Sequence, residues 1–198
     1  MLSHYKGRIS RLTDPLSRLL FRCRLRPNHL TILGLGVSVA AALAFVQGRE
    51  RLAALLLIVA GLFDFFDGSL ARLSGQVTPF GGFLDSVIDR YSDLVVLVGL
   101  LLLFVRVGKG SEILLTAAVL VGTVMVSYTK ARAQSIGVPL EIGLMERPER
   151  QICLIIGAFF HVLAPMLWIL AVLVNLTAIH RIIHTWSATR KPPSGYVG

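Results

Sequence analysis

The fold is decided by the stretch GLFDFFDGSLARLSGQVTPFGGFLDSVIDRYSD, residues 61–93. It carries five aspartates between strongly apolar runs: Asp64, Asp67, Asp85, Asp89 and Asp93. A carboxylate at the centre of a bilayer costs about 2.5–3.5 kcal/mol even on the mildest insertion scales. Several carboxylates in one apolar region therefore require a cation among them, and a divalent-metal site is the first hypothesis.

The composition around this stretch is that of a membrane protein. Of 198 residues, 55% are hydrophobic, and the mean hydropathy is +0.73. Residues 27–48, 113–129 and 151–180 carry no Asp, Glu, Lys or Arg. Because a bilayer crossing needs about 20 apolar residues, we predict an all-α, polytopic membrane protein. No apolar core precedes a cleavage site in residues 1–26, so we expect no cleavable signal peptide.

Six transmembrane helices around a polar cavity that faces the cytoplasm are predicted. Their ranges are 28–47, 52–73, 80–106, 111–134, 147–163 and 166–187. A turn at Ala164-Pro165 would separate the last two, since proline ends or kinks a helix. One long tilted helix over residues 151–180 is the alternative. The six-helix domain spans residues 27–188, between a juxtamembrane segment, 1–26, and a tail, 189–198.

The basic residues predict the orientation. With the N-terminus inside, fifteen of the 20 Lys and Arg residues fall in inner segments, so both termini and the aspartates near the inner helix ends, with any active site they form, are predicted to be cytoplasmic. We expect the membrane to be the cell membrane of a prokaryote. The net charge of +9 is spread over loops and helix ends, where it would face lipid headgroups and phosphorylated substrates. This distribution argues against a nucleic-acid partner.

The N-terminal segment has an amphipathic pattern over residues 8–22. Four leucines fall on one face and three arginines lie elsewhere, which is typical of a helix lying in the membrane interface. The leucines are Leu12, Leu16, Leu19 and Leu20, and the arginines are Arg11, Arg18 and Arg22. A solvated leader with incidental leucines is the alternative.

The two cysteines are not expected to form a disulfide. Cys23 is predicted to lie near the cytoplasmic surface and Cys153 inside an apolar helix, and we assign neither a function.

The spacing of the aspartates predicts how they meet. Asp64 and Asp67 are three apart near the end of the second helix, and Asp85 and Asp89 are four apart early in the third. Two antiparallel helices can therefore point two carboxylates each into one gap. Oxygen-only ligands favour Mg²⁺ or Mn²⁺, and four carboxylates can hold two ions about 3.5–4 Å apart. Asp93 is given no role.

Small residues and one arginine accompany the carboxylates. Gly68 and Ala71 allow a ligand or a backbone to approach closely, although ordinary helix packing explains such residues equally well. Arg72 is a planar cation suited to a pyrophosphate.

The spacing Asp64-x2-Asp67-Gly68-x2-Ala71-Arg72-x8-Gly81-x3-Asp85-x3-Asp89 resembles, at every defined position, the signature of the CDP-alcohol phosphatidyltransferases. The resemblance implies an integral membrane enzyme that transfers a phosphatidyl group from a CDP-linked lipid, such as CDP-diacylglycerol, to an alcohol and releases CMP. It implies a homodimer and the metal ligands Asp64, Asp67, Asp85 and Asp89, with Asp89 also the general base. Residues matching nucleotide and CDP-lipid contacts are Asn28, Thr31, Gly68, Ala71, Arg72, Thr78 and Gly81.

The acceptor alcohol is predicted from the second half of the chain. Cations at the ends of the last three helices suit an acceptor that carries its own phosphate, although inner loops are basic by topology alone. The stretches SYTKARAQ, 127–134, and GLMERPERQ, 143–151, resemble the inositol-phosphate branch of the family. We predict acceptor-phosphate contacts from Lys130, Arg147, Arg150 and Arg181. Arg147 and Arg150 pairing with Glu146 and Glu149 is the structural alternative.

Three other functions remain open at this point. Glycerol-3-phosphate is the alternative acceptor for this chain, as in a phosphatidylglycerophosphate synthase, because relatives that use it share the fold and the signature. A divalent-cation transporter would also use intramembrane aspartates, but it would need polar residues that continue to the far side of the membrane. A catalytically silent lipid-binding relative is disfavoured because no signature position is missing.

Overall fold

The computed structural model describes residues 27–74 and 78–190, apart from the side chains of residues 27, 68, 69 and 71–74. The part described is all-helical and contains six α-helices. These are α1 (Pro27–Val46), α2 (Glu50–Ser74), α3 (Pro79–Val107), α4 (Gly110–Ser135), α5 (Arg147–Phe159) and α6 (Leu163–Arg190). The predicted interfacial helix over residues 8–22, Cys23 and most of the predicted tail lie outside the described residues.

Four helix ends have the same local cause. A residue one or two positions after the helix adopts a left-handed backbone, with φ between 59° and 77°, at Gly48, Gly108, Gly137 and His161. The next amide then bonds a carbonyl five residues back, as Arg49 N–H does to Ala44 O at 2.9 Å. This geometry satisfies carbonyls that the helix end leaves open, and glycine adopts it at least cost.

The break between α5 and α6 confirms the prediction of two helices and corrects its position. Helix α5 ends at Phe159 and α6 begins at Leu163, so the turn precedes the predicted one at Ala164-Pro165 by about a helical turn. The N–H of Val162 bonds Gly157 O at 2.8 Å across the turn. Pro165 lies in the first turn of α6, where its missing N–H leaves no intrahelical hydrogen bond unmade.

Three helical stretches are long and apolar enough to cross a membrane: Asn28–Val46, Gly110–Ser135 and Leu163–Arg190. Helices α2 and α3 have 25 and 29 residues and carry the aspartates. Helix α5 has 13 residues, which is about 20 Å of helix, less than a hydrocarbon core of about 30 Å. The chain is an integral membrane protein.

The first of two compact units ends at Gly99 within α3. In it, α1 packs against α2 along small buried side chains, among them Ala41, Ala53 and Ala54, each 0% exposed. A Cβ atom at Gly99 would lie 2.6 Å from the carbonyl oxygen of Ala42, so α1 and α3 approach to backbone contact there. Small residues at helix contacts are typical of membrane proteins. They let the backbones approach closely, and the resulting van der Waals contacts hold helices together where lipid is as apolar as the side chains.

The second unit begins at Leu100, and in it both α4 and α5 pack against α6. Leu167, Leu170 and Val174 of α6 are fully buried. The side-chain amide of Asn175 donates to Ala118 O of α4 at 3.1 Å and to Ala171 O of its own helix at 2.8 Å. This bond between helices satisfies a polar group that lipid could not.

Candidate functional site

Three of the predicted metal ligands meet in the first unit. Asp64 and Asp67 lie one turn apart on α2, and Asp85 lies in the second turn of α3. One carboxylate oxygen from each lies within 4.8 Å of the other two. Asp67 is buried, with 5% of its surface exposed, and the other two are half-buried. The structure thus brings together two carboxylates from α2 and one from α3, whereas the spacing predicted two from each helix.

The donor set fits a hard divalent cation. Every atom offered is a carboxylate oxygen, the ligand type that Mg²⁺ and Mn²⁺ prefer. Opposite oxygens around Mg²⁺ are roughly 4.2 Å apart, because each bond is about 2.1 Å long. Oxygens already within 4.8 Å of one another reach that spacing through small side-chain rotations. Three negative groups this close in an apolar region repel one another unless a cation is bound.

A hydroxyl from α1 orients the most buried of these carboxylates. Thr31 Oγ1 donates a 2.7 Å hydrogen bond to Asp67 Oδ2, and Thr31 is only 7% exposed. Hydrogen bonds of this kind hold a ligating carboxylate in one orientation and stabilise its charge. The sequence predicted Thr31 as a contact to the CDP-lipid, and the structure shows in addition its hydrogen bond to one of the three converging carboxylates.

Thr78 caps the N-terminus of α3. Its hydroxyl accepts the N–H of Gly81 at 3.0 Å, which caps the helix, and Pro79 follows at the first helical position. A Cβ atom at Gly81 would lie 3.0 Å from Thr78 Oγ1 and 3.6 Å from Asn28 Oδ1. Thr78, Gly81 and Asn28, all predicted to contact the CDP-lipid, therefore lie together one turn before Asp85.

Asp89, the fourth predicted ligand, lies one turn beyond Asp85 on α3. Among the described side chains, the group with ligand atoms in mutual reach is Asp64, Asp67 and Asp85, without Asp89. Its Oδ2 is 4.0 Å from Arg90 Nη2, and its side chain is 16% exposed. Gly68, Ala71 and Arg72 follow Asp67 within α2, and their side chains lie outside the described residues.

A second polar cluster lies within the second unit. Arg181 of α6 is 2% exposed and donates from Nε to Ile142 O at 2.8 Å and from Nη1 to Val126 O at 2.6 Å. Its Nη2 lies 3.3 Å from Glu146 Oε1. The same carboxylate oxygen is 3.9 Å from Lys130 Nζ of α4. Two of the predicted acceptor-phosphate contacts therefore meet at one anionic group.

The segment that precedes α5 is held by buried side chains. Arg150, 5% exposed, donates from Nη1 to Met145 O at 3.2 Å, and the N–H of Met145 donates to Thr177 Oγ1 at 3.3 Å. Arg147 is the first residue of α5, and its Nε atom is buried. A Cβ atom at Gly143 would lie 2.7 Å from Arg181 Nη2, so only glycine fits there without displacing the guanidinium.

The contacts of Glu146 differ from those expected from the sequence. Pairing with Arg147 or Arg150 was the alternative considered, whereas the carboxylate lies between Lys130 and Arg181. The sequence offered one sign of these contacts, since Glu146 lies between a basic pair, Lys130 and Arg132, and a second basic pair, Arg147 and Arg150. The choice of partner depends on how α4 and α6 pack.

A family model described as CDP-alcohol phosphatidyltransferase matches residues 24–188. The chain belongs to the CDP-alcohol phosphatidyltransferase family. The prediction of an enzyme from this family is therefore confirmed, and a cation transporter finds no support.

Named relatives cover nearly the whole of this CDP-alcohol phosphatidyltransferase. It is 36% identical to the archaetidylinositol phosphate synthase of Pyrococcus horikoshii over 183 residues, 92% of this chain and 95% of the relative. The crystal structure of phosphatidylinositol phosphate synthase from Mycobacterium tuberculosis with CDP-DAG bound superposes with a TM-score of 0.83 at 36% identity, covering 89% of this chain and 94% of that one. The same mycobacterial enzyme in complex with manganese and citrate gives a TM-score of 0.81 at 35% identity, covering 88% and 89%.

Proposed function

We propose that this enzyme transfers a phosphatidyl group from CDP-diacylglycerol, or a related CDP-lipid, to a hydroxyl of inositol phosphate and releases CMP. The observation that carries the proposal is the convergence of Asp64, Asp67 and Asp85 within 4.8 Å. These three residues lie within residues 24–188, the range that the CDP-alcohol phosphatidyltransferase family model matches. The relatives named above are synthases of inositol-phosphate lipids, and one holds CDP-DAG in its crystal structure.

The metal ligands are Asp64, Asp67 and Asp85, and Asp89 is proposed as a fourth that allows two ions. A bound Mg²⁺ or Mn²⁺ would neutralise the pyrophosphate and stabilise the CMP that leaves. Thr31 holds the Asp67 carboxylate in place through its 2.7 Å hydrogen bond. The manganese complex of the mycobacterial relative supports the choice of metal.

The reaction is a direct displacement at the lipid-linked phosphorus. The acceptor hydroxyl forms the new P–O bond while the bond to CMP breaks, and Asp89 takes the hydroxyl proton. We assign the contacts to the CDP-lipid to Asn28, Thr31, Gly68, Ala71, Arg72, Thr78 and Gly81. Arg72 supplies a planar cation for the pyrophosphate, and the glycines leave room for it.

The acceptor phosphate is assigned to Lys130, Arg147, Arg150 and Arg181. Support comes from Glu146, since Lys130 and Arg181 already lie around a carboxylate oxygen and are oriented to bind an anion. The side chain of Lys130 is 41% exposed, so a ligand from solution reaches it. A neutral alcohol would gain nothing from this arrangement.

We further propose that all six helices cross the membrane, with both termini and the active site on the cytoplasmic side, in a homodimer. Helix α5 would then span a locally thin region or continue through its flanking residues, because it is only 13 residues long. The distribution of basic residues supports the orientation. A prokaryotic membrane fits the archaeal and bacterial relatives.

The test is CMP release by the purified full-length protein with CDP-diacylglycerol and Mg²⁺ or Mn²⁺. Inositol phosphate, glycerol-3-phosphate, inositol and serine are compared as acceptors, and an archaeal ether CDP-lipid is compared as donor. We expect release that requires both the metal and inositol phosphate. Preference for glycerol-3-phosphate would replace the acceptor, and release with no acceptor would indicate hydrolysis instead.

A further inference from the structure

The carboxylate of Glu146 occupies the position between two cations that the proposed function assigns to the acceptor phosphate. Its Oε1 is 3.3 Å from Arg181 Nη2 and 3.9 Å from Lys130 Nζ. These cations come from different helices, α6 and α4, and meet at this one oxygen. The arrangement matches what a phosphate oxygen would require.

Local helix structure does not account for the position of this side chain. Glu146 is the residue before α5, yet its side chain makes no capping hydrogen bond. The two cations are therefore its partners, and 45% of the side chain is exposed. A ligand arriving from water can displace it without unfolding the helix start.

Arg181 cannot follow the carboxylate if Glu146 moves. Its Nε and Nη1 atoms donate to the backbone carbonyls of Ile142 and Val126, and the residue is 2% exposed. The backbone of Gly143 also lies beside Nη2, since a Cβ atom added at this position would be 2.7 Å from it. The guanidinium is thus a fixed donor, and its Nη2 atom faces Glu146 Oε1.

We propose that Glu146 is a specificity-determining residue that competes with the acceptor phosphate for Lys130 and Arg181. The inference rests on the proposed function. A ligand must attract the two cations more strongly than one carboxylate does, and a phosphate monoester with about two negative charges meets this condition whereas a neutral alcohol does not. Glu146 therefore neutralises the two cations in the absence of substrate and excludes acceptors that carry no phosphate.

Binding of inorganic phosphate to the purified full-length protein tests the proposal without turnover. Calorimetry at fixed ionic strength compares the wild type with Glu146→Gln, which keeps the side-chain shape and removes the competing charge. Glu141→Gln is the matched control, because Glu141 is exposed in the same loop and the net charge changes equally. We expect phosphate to bind about two- to fivefold more tightly to Glu146→Gln and unchanged to Glu141→Gln, as suits an ion pair that is partly exposed.

Unchanged or weaker phosphate binding in Glu146→Gln would overturn the proposal, as would an equal gain in Glu141→Gln. The gain should also shrink when Lys130→Gln is added, since one of the two cations is then missing. Equal thermal unfolding midpoints verify that each variant is folded.

Kinetics separate this proposal from the proposed function. In Glu146→Gln the KM for inositol phosphate should fall by the same factor as the phosphate dissociation constant, while the KM for the CDP-lipid stays constant. If the true acceptor carries no phosphate, its KM will not change although phosphate binding still tightens. That result would remove the assigned acceptor and leave the competition by Glu146 intact.

Discussion

The hydroxyl of Thr31 donates a 2.7 Å hydrogen bond to Oδ2 of Asp67, and both side chains are buried. This bond ties the start of α1 to the carboxylate cluster on α2 and α3. Thr31 is therefore placed to affect metal binding as well as the CDP-lipid contact expected for it.

Thr31→Val tests this role with almost no change in volume. Loss of the hydrogen bond should raise the Mg²⁺ concentration needed for half-maximal CMP release about 10- to 100-fold, because the Asp67 carboxylate loses its orienting partner. Thr31→Ser keeps the hydroxyl and should restore most of the affinity. A metal requirement equal to that of the wild type, with only the KM for the CDP-lipid raised, would assign Thr31 to the lipid alone.

Asp85→Asn and Asp89→Asn should fail in different ways. Asp85 is part of the converging group, whereas Asp89 lies outside it. We expect Asp85→Asn to lose Mn²⁺ binding measured by electron paramagnetic resonance. Asp89→Asn should retain at least one Mn²⁺ while CMP release falls by about 10²–10⁴-fold through loss of the base. Near-normal turnover in Asp89→Asn would eliminate that role.

Arg150→Ala should raise the KM for the acceptor more than the KM for the CDP-lipid, as expected for a phosphate contact. Because Arg150 is buried and bonds Met145 O, the variant should also unfold at a lower temperature. Arg150→Lys serves as the conservative comparison. Equal effects on both substrates would reassign Arg150 to the donor or to the scaffold.

Gly99→Ala should destabilise the first unit. The added Cβ atom would lie 2.6 Å from Ala42 O, so α1 and α3 must separate, at a cost of about 1–3 kcal/mol. Gly36→Ala in α1 is the matched control, because its Cβ meets nothing within 4 Å and alanine favours a helix by about 1 kcal/mol. Denaturant unfolding in detergent measures both, and equal stability of the two variants would contradict the close approach at Gly99.

Most helix boundaries could be predicted from local sequence features, namely the lengths of the apolar runs and the residues that end helices. The six predicted ranges agree with the observed helices to within a few residues, except at the end of α5. Glycines that favour a left-handed backbone, at Gly48, Gly108 and Gly137, end three helices. The end of α5 was predicted wrongly because His161 adopts the same left-handed conformation without being glycine. The turn was therefore predicted at Pro165, the nearest residue that commonly ends a helix.

The sequence by itself determined which carboxylates lie on which helices, since helical spacing orients Asp64 with Asp67 and places Asp85 on the next helix. Tertiary structure decided the partners across helices. Thr31 bonds Asp67 across 36 residues, and Glu146 bridges Lys130 and Arg181. Such pairings depend on how packed helices are rotated relative to each other and how far apart they lie. The periodicity of a single helix shows which residues share a face, but it does not give this rotation or this distance.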